Sequence, residues 1–391
     1  MKALVLGFGL QGKAVVHDLE QSGLVTDVVV ADLEVAKATQ YLQKRRYQKA
    51  RVVQLDAKQP DAVQRLIKES GVQVLICMLP PEFQYALAEA AVSAGIPFAS
   101  SSYTGNLVEL DTRARQAGVP ILPEMGMDPG IDLILGRLAV AELEEVHGLY
   151  SYGAGIPEPA CAGENLIHYK ITWTLDGLLK AYKRPARVLK QGQEISIAGE
   201  EIFMPQHGHS VTVEGVGRLD AYPNGDAIRY IDVFGLGPGL TDMGRFALRW
   251  PGHNPFWHVM ASLGFLEDTP SKIGAAEISP RQFLVHHLAP RLQYREDERD
   301  LVIIRIEAWG RTGGKPCRVT YDLIDYRDLD TGLFAMNRTV GFATSIAAQM
   351  LLRGQIKRPG LLSPVTDVPA REFVQELERR GMQVQRRIVE G

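Results

Sequence analysis

Cysteine is scarce in this chain: Cys77, Cys161 and Cys317 are the three thiols among 391 residues. They are too few and too scattered for a disulfide framework, which suits a reducing compartment. An excess of one charge is also missing. Lys+Arg 43 against Asp+Glu 46 leaves a net charge of −3, without the basic surface that a phosphate backbone calls for, so no nucleic-acid partner is expected. No uninterrupted run of 18 apolar residues occurs, and no membrane span is expected. The N-terminus has one lysine, a short apolar run and then glycines. It lacks the apolar core and cleavage site of a signal peptide, so the expected location is cytoplasmic. Neither GxSxG nor HExxH appears, which leaves a hydrolase without visible machinery. His207 and His209, and likewise His286 and His287, lack companions at ligand spacing, and no metal is expected.

What is present is ample core. Hydrophobic residues make up 46% of the chain, and its length suits two or three domains. Short apolar runs at 2–7, 27–32, 51–57, 72–80, 96–102 and 119–124 alternate with helical spacing at 9–23, 34–44, 62–71, 82–95 and 107–117. That alternation predicts a doubly wound parallel sheet of Rossmann type over 1–130, an α/β fold. The pattern then changes. Strand candidates at 145–153, 194–204, 209–216, 227–236, 300–310 and 317–326, with helices at 132–143, 174–183 and 280–287, predict an α+β domain over 131–337. Its sheet is expected to be mainly antiparallel. Residues 184–190 and 295–300 read as solvated surface. A helix over 339–353, with Thr339 as its cap and Gly354 as its stop, is apolar on most faces. Segment 338–391 is therefore expected to return to the first domain, with an amphipathic helix at 371–380.

Gly7, Gly9 and Gly12, with Leu10 and Gln11 between them, match GxGxxG directly after the first strand. The first glycine allows the tight turn, the second admits a pyrophosphate, and the third lets helix and strand pack closely. Asp32 ends the second strand, where a carboxylate accepts from adenosine ribose hydroxyls and repels a 2′-phosphate. NAD is thus the expected cofactor, with NADP as the alternative through neighbours such as Lys37. Asp56 and Ala57 are placed beside the adenine. Met78, Leu79 and Pro80 are placed along the dinucleotide path, because open α/β sheets bind ligands beyond the carboxyl ends of their strands.

Several segments have a more particular look: EMGMDPGID (124–132), SSSY (100–103), GIPEP (155–159), NLIHYKITWTLDGLL (165–179), AYPNGD (221–226), RFALRWPGH (245–253) and the helix at 338–356. Together they resemble the saccharopine dehydrogenase family, in its glutamate-forming reductase branch and the related lysine 6-dehydrogenases. The resemblance implies hydride transfer between a nicotinamide and the carbon bearing a substrate nitrogen. It also implies a discontinuous Rossmann domain and a substrate domain that often builds a homodimer. Along the cofactor it adds Ser101, Met127 and Pro129. The substrate is then an amino acid, held near Tyr103, Asp128, Trp173, Asp176, Asn224 and Arg249.

The residues themselves allow catalytic readings for Asp128, Lys170 and Tyr103. Asp128-Pro129-Gly130 makes a shaped junction at the nicotinamide end. Lys170, between Tyr169 and Trp173, is expected to have a lowered pKa and to move protons. Arg249 suits a carboxylate clamp. Two departures bear on the substrate. The saccharopine branch usually has arginine where this chain has Asp176, and again where it has Gly225. Both changes favour a substrate with fewer carboxylates or an extra amine, such as lysine, whereas DPGID favours the saccharopine branch. A dinucleotide-binding sensor without turnover is the alternative of another class.

Overall fold

The computed structural model describes residues 1–391, apart from the side chain of Ile273. The first unit opens with β1 (Lys2–Leu6), α1 (Leu10–Gln21), β2 (Asp27–Asp32), α2 (Val35–Arg45), β3 (Ala50–Gln54), α3 (Pro60–Ser70), β4 (Val74–Cys77), α4 (Gln84–Ala94), β5 (Phe98–Ser100), α5 (Asp111–Ala117), β6 (Pro120–Leu122) and α6 (Ile131–Val140). β1 and β4 are buried along almost their whole length, as expected of strands covered on both faces. Leu4 pairs in parallel with Val29 on one side and Leu75 on the other. α3, α4 and α5 each close on a glycine in the left-handed region. α3 begins on Pro60 and ends at Gly71 in the left-handed region, with φ +61.

The second unit holds β7 (Glu145–Pro157), α7 (Pro159–Ala162), α8 (Leu175–Ala181), β8 (Ala186–Lys190), β9 (Gln193–Ile197), β10 (His209–Val213), β11 (Gly217–Pro223), β12 (Asp242–Arg249), α9 (His253–Ser262), the hairpin β13 (Ser271–Ile273) and β14 (Ala276–Ile278), α10 (Pro280–Leu288), β15 (Asp300–Thr312) and β16 (Lys315–Tyr326). The chain continues through α11 (Ala335–Leu352), β17 (Gly360–Leu361), α12 (Pro364–Asp367), α13 (Ala370–Arg379) and β18 (Val384–Glu390). The compact units are 1–137 with 337–382, and 138–336 with 383–391.

The first sheet runs β17-β6-β5-β4-β1-β2-β3, and all its pairs are parallel. Strand order reverses between β1 and β4, which leaves a crevice at their carboxyl ends. Within this unit α11 lies on α1. A Cβ at Gly341 would stand 2.6 Å from the Ala14 Cβ, so only glycine admits the close approach. Asp18 on α1 accepts from Ser345 (2.7 Å), Gln349 (3.0 Å) and Arg380 (2.5 Å). A buried carboxylate is thereby satisfied.

The second sheet follows β10-β11-β12-β7-β15-β16-β18, with β8 and β9 attached beside β12. It is mixed: β12 pairs with β7 in parallel and the remaining pairs are antiparallel.

Several expectations need correction here. Residues 227–236 form no strand. The Asp226 carboxylate accepts from the Ile228 N–H where the chain enters a 3-10 turn at Ile228–Tyr230. The strand lies at 242–249 instead. Residues 184–190 are not a solvated loop, because β8 buries Ala186 and pairs with β9. The run expected at 194–204 stops at Ile197. Gly199 there sits so close to the Lys183 backbone that a Cβ would meet its oxygen at 2.0 Å. Thr339 is not a cap. α11 starts four residues earlier, where the Asp300 carboxylate takes the N–H groups of Ala335 (2.7 Å) and Met336 (3.0 Å).

Candidate active site

The glycine loop follows from steric necessity. Gly7 has φ +94, a conformation that L side chains rarely adopt. A Cβ on Gly12 would lie 2.0 Å from the Gly7 carbonyl oxygen, whereas one on Gly9 would meet nothing within 4 Å. Gly12 therefore locks helix to turn, and Gly9 keeps an open approach to the first N–H groups of α1. That is the shape a pyrophosphate occupies at a helix N-terminus.

Asp32 shapes the same loop. Its carboxylate accepts from the Phe8 N–H (2.7 Å) and the Glu34 N–H (2.9 Å). Lys37 is ion-paired with Glu34. Burial pulls the Lys13 ammonium down from its ordinary pKa, against the pull of Asp32. Lys13 lies 4.9 Å from the Tyr41 ring, and Tyr41 packs edge-on against Phe8. Asp56 accepts from the Lys58 N–H and leads into α3, with half-buried Ala57 beside it. Met78, Leu79 and Pro80 follow β4, and the Leu79 side chain and Met78 carbonyl bound the space beside Gly7.

Ser101 and Tyr103 follow β5, and the Tyr103 carbonyl accepts from Gln84. After β6 the chain turns through Met127, Asp128 and Pro129. The Gly126 N–H donates to the Pro129 carbonyl (2.9 Å). A Cβ on Gly130 would stand 2.1 Å from the Gly126 oxygen, so the turn demands glycine there. Asp128 and Tyr103 are both half-buried on this edge. Glu124, which sequence reasoning passed over, is 3% exposed, has φ +62, and accepts from the Thr104 N–H and hydroxyl at 3.0 Å each. It ties the loop after β5 to the loop after β6. Its signal was its place at the head of the EMGMDPGID segment.

In the second unit, Arg249 is buried among aromatic rings. Its guanidinium lies 5.7 Å from the Tyr169 ring and 5.6 Å from Tyr222. It donates to the Leu248 carbonyl (2.8 Å), and its Nε has no hydrogen-bond partner. His253 lies against the same group. Its Nε2 is 2.7 Å from the Tyr182 hydroxyl, and its Nδ1 is 2.9 Å from the Ile167 carbonyl. Burial, then the nearby Arg249 charge, pull His253 down to about 3. A neutral ring that donates to Ile167 and accepts from Tyr182 satisfies both contacts. A buried guanidinium with one N–H group still unsatisfied suits an incoming carboxylate.

Lys170 overturns its expectation. Its ammonium lies 2.5 Å from both Glu164 and Glu298. Burial presses its pKa down, but the hydrogen bonds and charge of the two carboxylates win, and the net shift is upward. Lys170 is held charged, which removes the premise for a neutral proton acceptor. Asp176 sits in the first turn of α8, paired with Lys180 (2.9 Å) and Arg281. The Trp173 ring covers Gly177, where a Cβ would meet it at 2.5 Å. The Asn224 N–H donates to the Arg245 carbonyl (2.8 Å) at the end of β11.

The parallel sheet, the glycine turn and the open edge above it define a Rossmann-type nucleotide-binding protein with a mixed-sheet second unit. The chain belongs to the saccharopine dehydrogenase family. Residues 3–122 match the model described as the saccharopine dehydrogenase NADP binding domain, and residues 126–382 match the saccharopine dehydrogenase C-terminal domain. The alpha-aminoadipic semialdehyde synthase of Mus musculus (mitochondrial) is 25% identical over 97% of this chain, and the match covers 47% of that protein. The chain thus spans about half the length of such relatives. The saccharopine dehydrogenase [NADP(+), L-glutamate-forming] of Saccharomyces cerevisiae is 26% identical, covering 92% of this chain and 93% of its own. A solved apo structure of the L-Glu-forming saccharopine dehydrogenase from that yeast shares the fold, with a TM-score of 0.86 at 23% identity and 99% of each chain covered.

Proposed function

We propose that this chain is an NAD(P)-dependent oxidoreductase acting on a C–N bond of an amino acid of the lysine or saccharopine type. The glycine loop carries the reading: Gly12 is locked against Gly7 while Gly9 faces open space. Family membership supports the reaction class. A bound nicotinamide supplies the hydride acceptor, and this chain's own groups bind and orient. Gly9 and the start of α1 receive the pyrophosphate, and Asp32 receives the ribose hydroxyls. Ser101, Tyr103, Met127, Asp128 and Pro129 border the reacting end. Asp128, in the first unit, suits the substrate nitrogen, and Arg249, in the second, suits a carboxylate.

The cofactor is proposed to be NAD, although the matched family domain and the yeast relative are named for NADP. Asp32 and Glu34 put two carboxylates at the end of β2, and the nearby Lys37 is already paired with Glu34. A 2′-phosphate there meets the Asp32 carboxylate, with Lys37 already engaged. Three buried, unpaired cysteines support a cytoplasmic location. No helix among the described residues is long and apolar enough to cross a membrane. A homodimer on the second sheet is proposed from β18, an edge strand that exposes Ile388 and Val389; a monomeric mass at all concentrations rejects it.

The test is absorbance at 340 nm with saccharopine and with lysine, each with NAD and NADP. Turnover of either amino acid supports the reading, and the larger kcat/KM assigns the substrate. Tight cofactor binding without turnover of any amino acid favours a sensor instead.

A further inference from the structure

A cavity of about 720 Å³ opens on the second sheet, wholly within the second unit. It faces away from Arg249. Phe246 on β12 pairs with Tyr152 on β7, and both line the cavity. Side chains alternate along a strand, so Ala247 and Arg249 project to the opposite face. There Ala247 packs with Leu178 of α8, Trp257 of α9 and Leu284 of α10. The cavity thus stands apart from the residues assigned above to substrate.

Its walls are aromatic. Tyr150 meets Phe246 edge-on at 5.2 Å and Trp309 at 4.8 Å, and Tyr152 stacks on Phe246 at 5.4 Å. Its charges are mainly positive: Lys190, Arg305 and Arg318 against Glu307. Glu307 lies 3.0 Å from Arg318 and 3.3 Å from Arg305, and Arg305 also meets Asp322 at 3.2 Å. Lys190 has no ion-pair partner among the described residues, and it is exposed at the rim. Burial lowers the His209 pKa, and its ring contacts the Tyr152 hydroxyl at 3.0 Å, adding polarity without charge.

An aromatic box alone also suits a cationic ligand, but Lys190, which stands outside those ion pairs, repels one. The volume lies within the range of small-molecule sites. We infer that the cavity is a second binding site, for a planar aromatic carboxylate. Its ring lies against the wall that Tyr150, Phe246 and Trp309 form, and its carboxylate meets Lys190. Edge-to-face contacts favour a flat ring over an aliphatic chain.

Calorimetry on the full chain tests this with indole-3-acetate and its neutral match, indole-3-acetamide. One site per chain is expected, with the acid about tenfold tighter than the amide. Lys190→Met is expected to close that gap without weakening the amide. Tyr150→Leu, and separately Trp309→Ala, should weaken both ligands. The urea midpoint and the far-UV circular dichroism of each variant report whether the second unit is folded, and both are expected to be unchanged. Absence of saturable heat from either ligand overturns the inference, as does a gap that survives in Lys190→Met. A dimer that becomes monomeric in Trp309→Ala also overturns it, because a second copy then covers this face.

Discussion

The Lys170 ammonium lies 2.5 Å from a Glu298 carboxylate oxygen, and both side chains are almost closed to solvent, at 4% and 3% exposure. Glu298 also accepts from the Arg295 backbone N–H (2.7 Å), so the pair is hydrogen-bonded as well as charged. Lys170→Met leaves a buried carboxylate with Arg295 as its remaining cation. A loss of about 3 kcal/mol is expected, near the lower end for breaking a buried pair. Urea denaturation measures it. Lys170→Met/Glu298→Gln should recover part of the loss, whereas equal losses in the single and double variants contradict the coupling.

The two inner glycines of the cofactor loop should separate. Gly12→Ala forces a Cβ onto the Gly7 carbonyl and is expected to lower Tm and abolish NADH binding together. Gly9→Ala meets open space, so Tm is expected to hold while NADH affinity falls at least tenfold, about 1.4 kcal/mol. NADH fluorescence titration beside thermal melts distinguishes the two.

Asp32→Ser should shift cofactor choice. Removing the carboxylate lifts the repulsion at the 2′ position, and kcat/KM for NADP relative to NAD should rise at least about tenfold. The Phe8 N–H loses its charged acceptor, so a stability loss of about 1 kcal/mol accompanies the change. An unaltered cofactor ratio removes Asp32 from specificity.

Two buried groups set opposite pH slopes. Burial and Arg249 lower His253 to about 3, so the stability it contributes is present above pH 6.5 and lost as pH falls towards 3. Burial raises Asp300 to about 7, against the two N–H groups it caps. Its contribution is full below pH 3.8 and is lost as pH rises through 7. Each slope is about 1.4 kcal/mol per pH unit, and they offset between pH 3.8 and 6.5. Asp300→Asn should therefore make stability climb with pH in that window, and His253→Gln should make it fall. Denaturation midpoints at pH 4, 5 and 6 decide the matter; parallel curves for wild type and both variants contradict it.

The first sheet was legible because each of its early strands is a short apolar run closed by a turn residue, and neighbouring strands follow one another in the chain. β17 was not, since two residues, Gly360 and Leu361, carry no pattern. β12 was hidden because Arg245 and Arg249 interrupt its apolar alternation; aromatic rings beside both guanidinium groups make their burial tolerable. At 227–236 the composition favoured a strand, but the chain forms a 3-10 turn at Ile228–Tyr230, where the Asp226 carboxylate accepts from the Ile228 N–H.

By itself the amino-acid sequence determined what short-range sterics govern. Gly7 and Gly12 must be glycine because no side chain fits there, Gly9 leaves open space between them, and Asp32 follows at the end of the next strand. Only the tertiary structure decided the charge state of Lys170, since Glu298 comes from a segment 128 residues away. Likewise, only the folded chain gathers Tyr169, Tyr182, Tyr222 and His253 around Arg249. The reason is physical: a pKa and an ion pair depend on distance and dielectric in space, and neither is written in the spacing of residues along a chain.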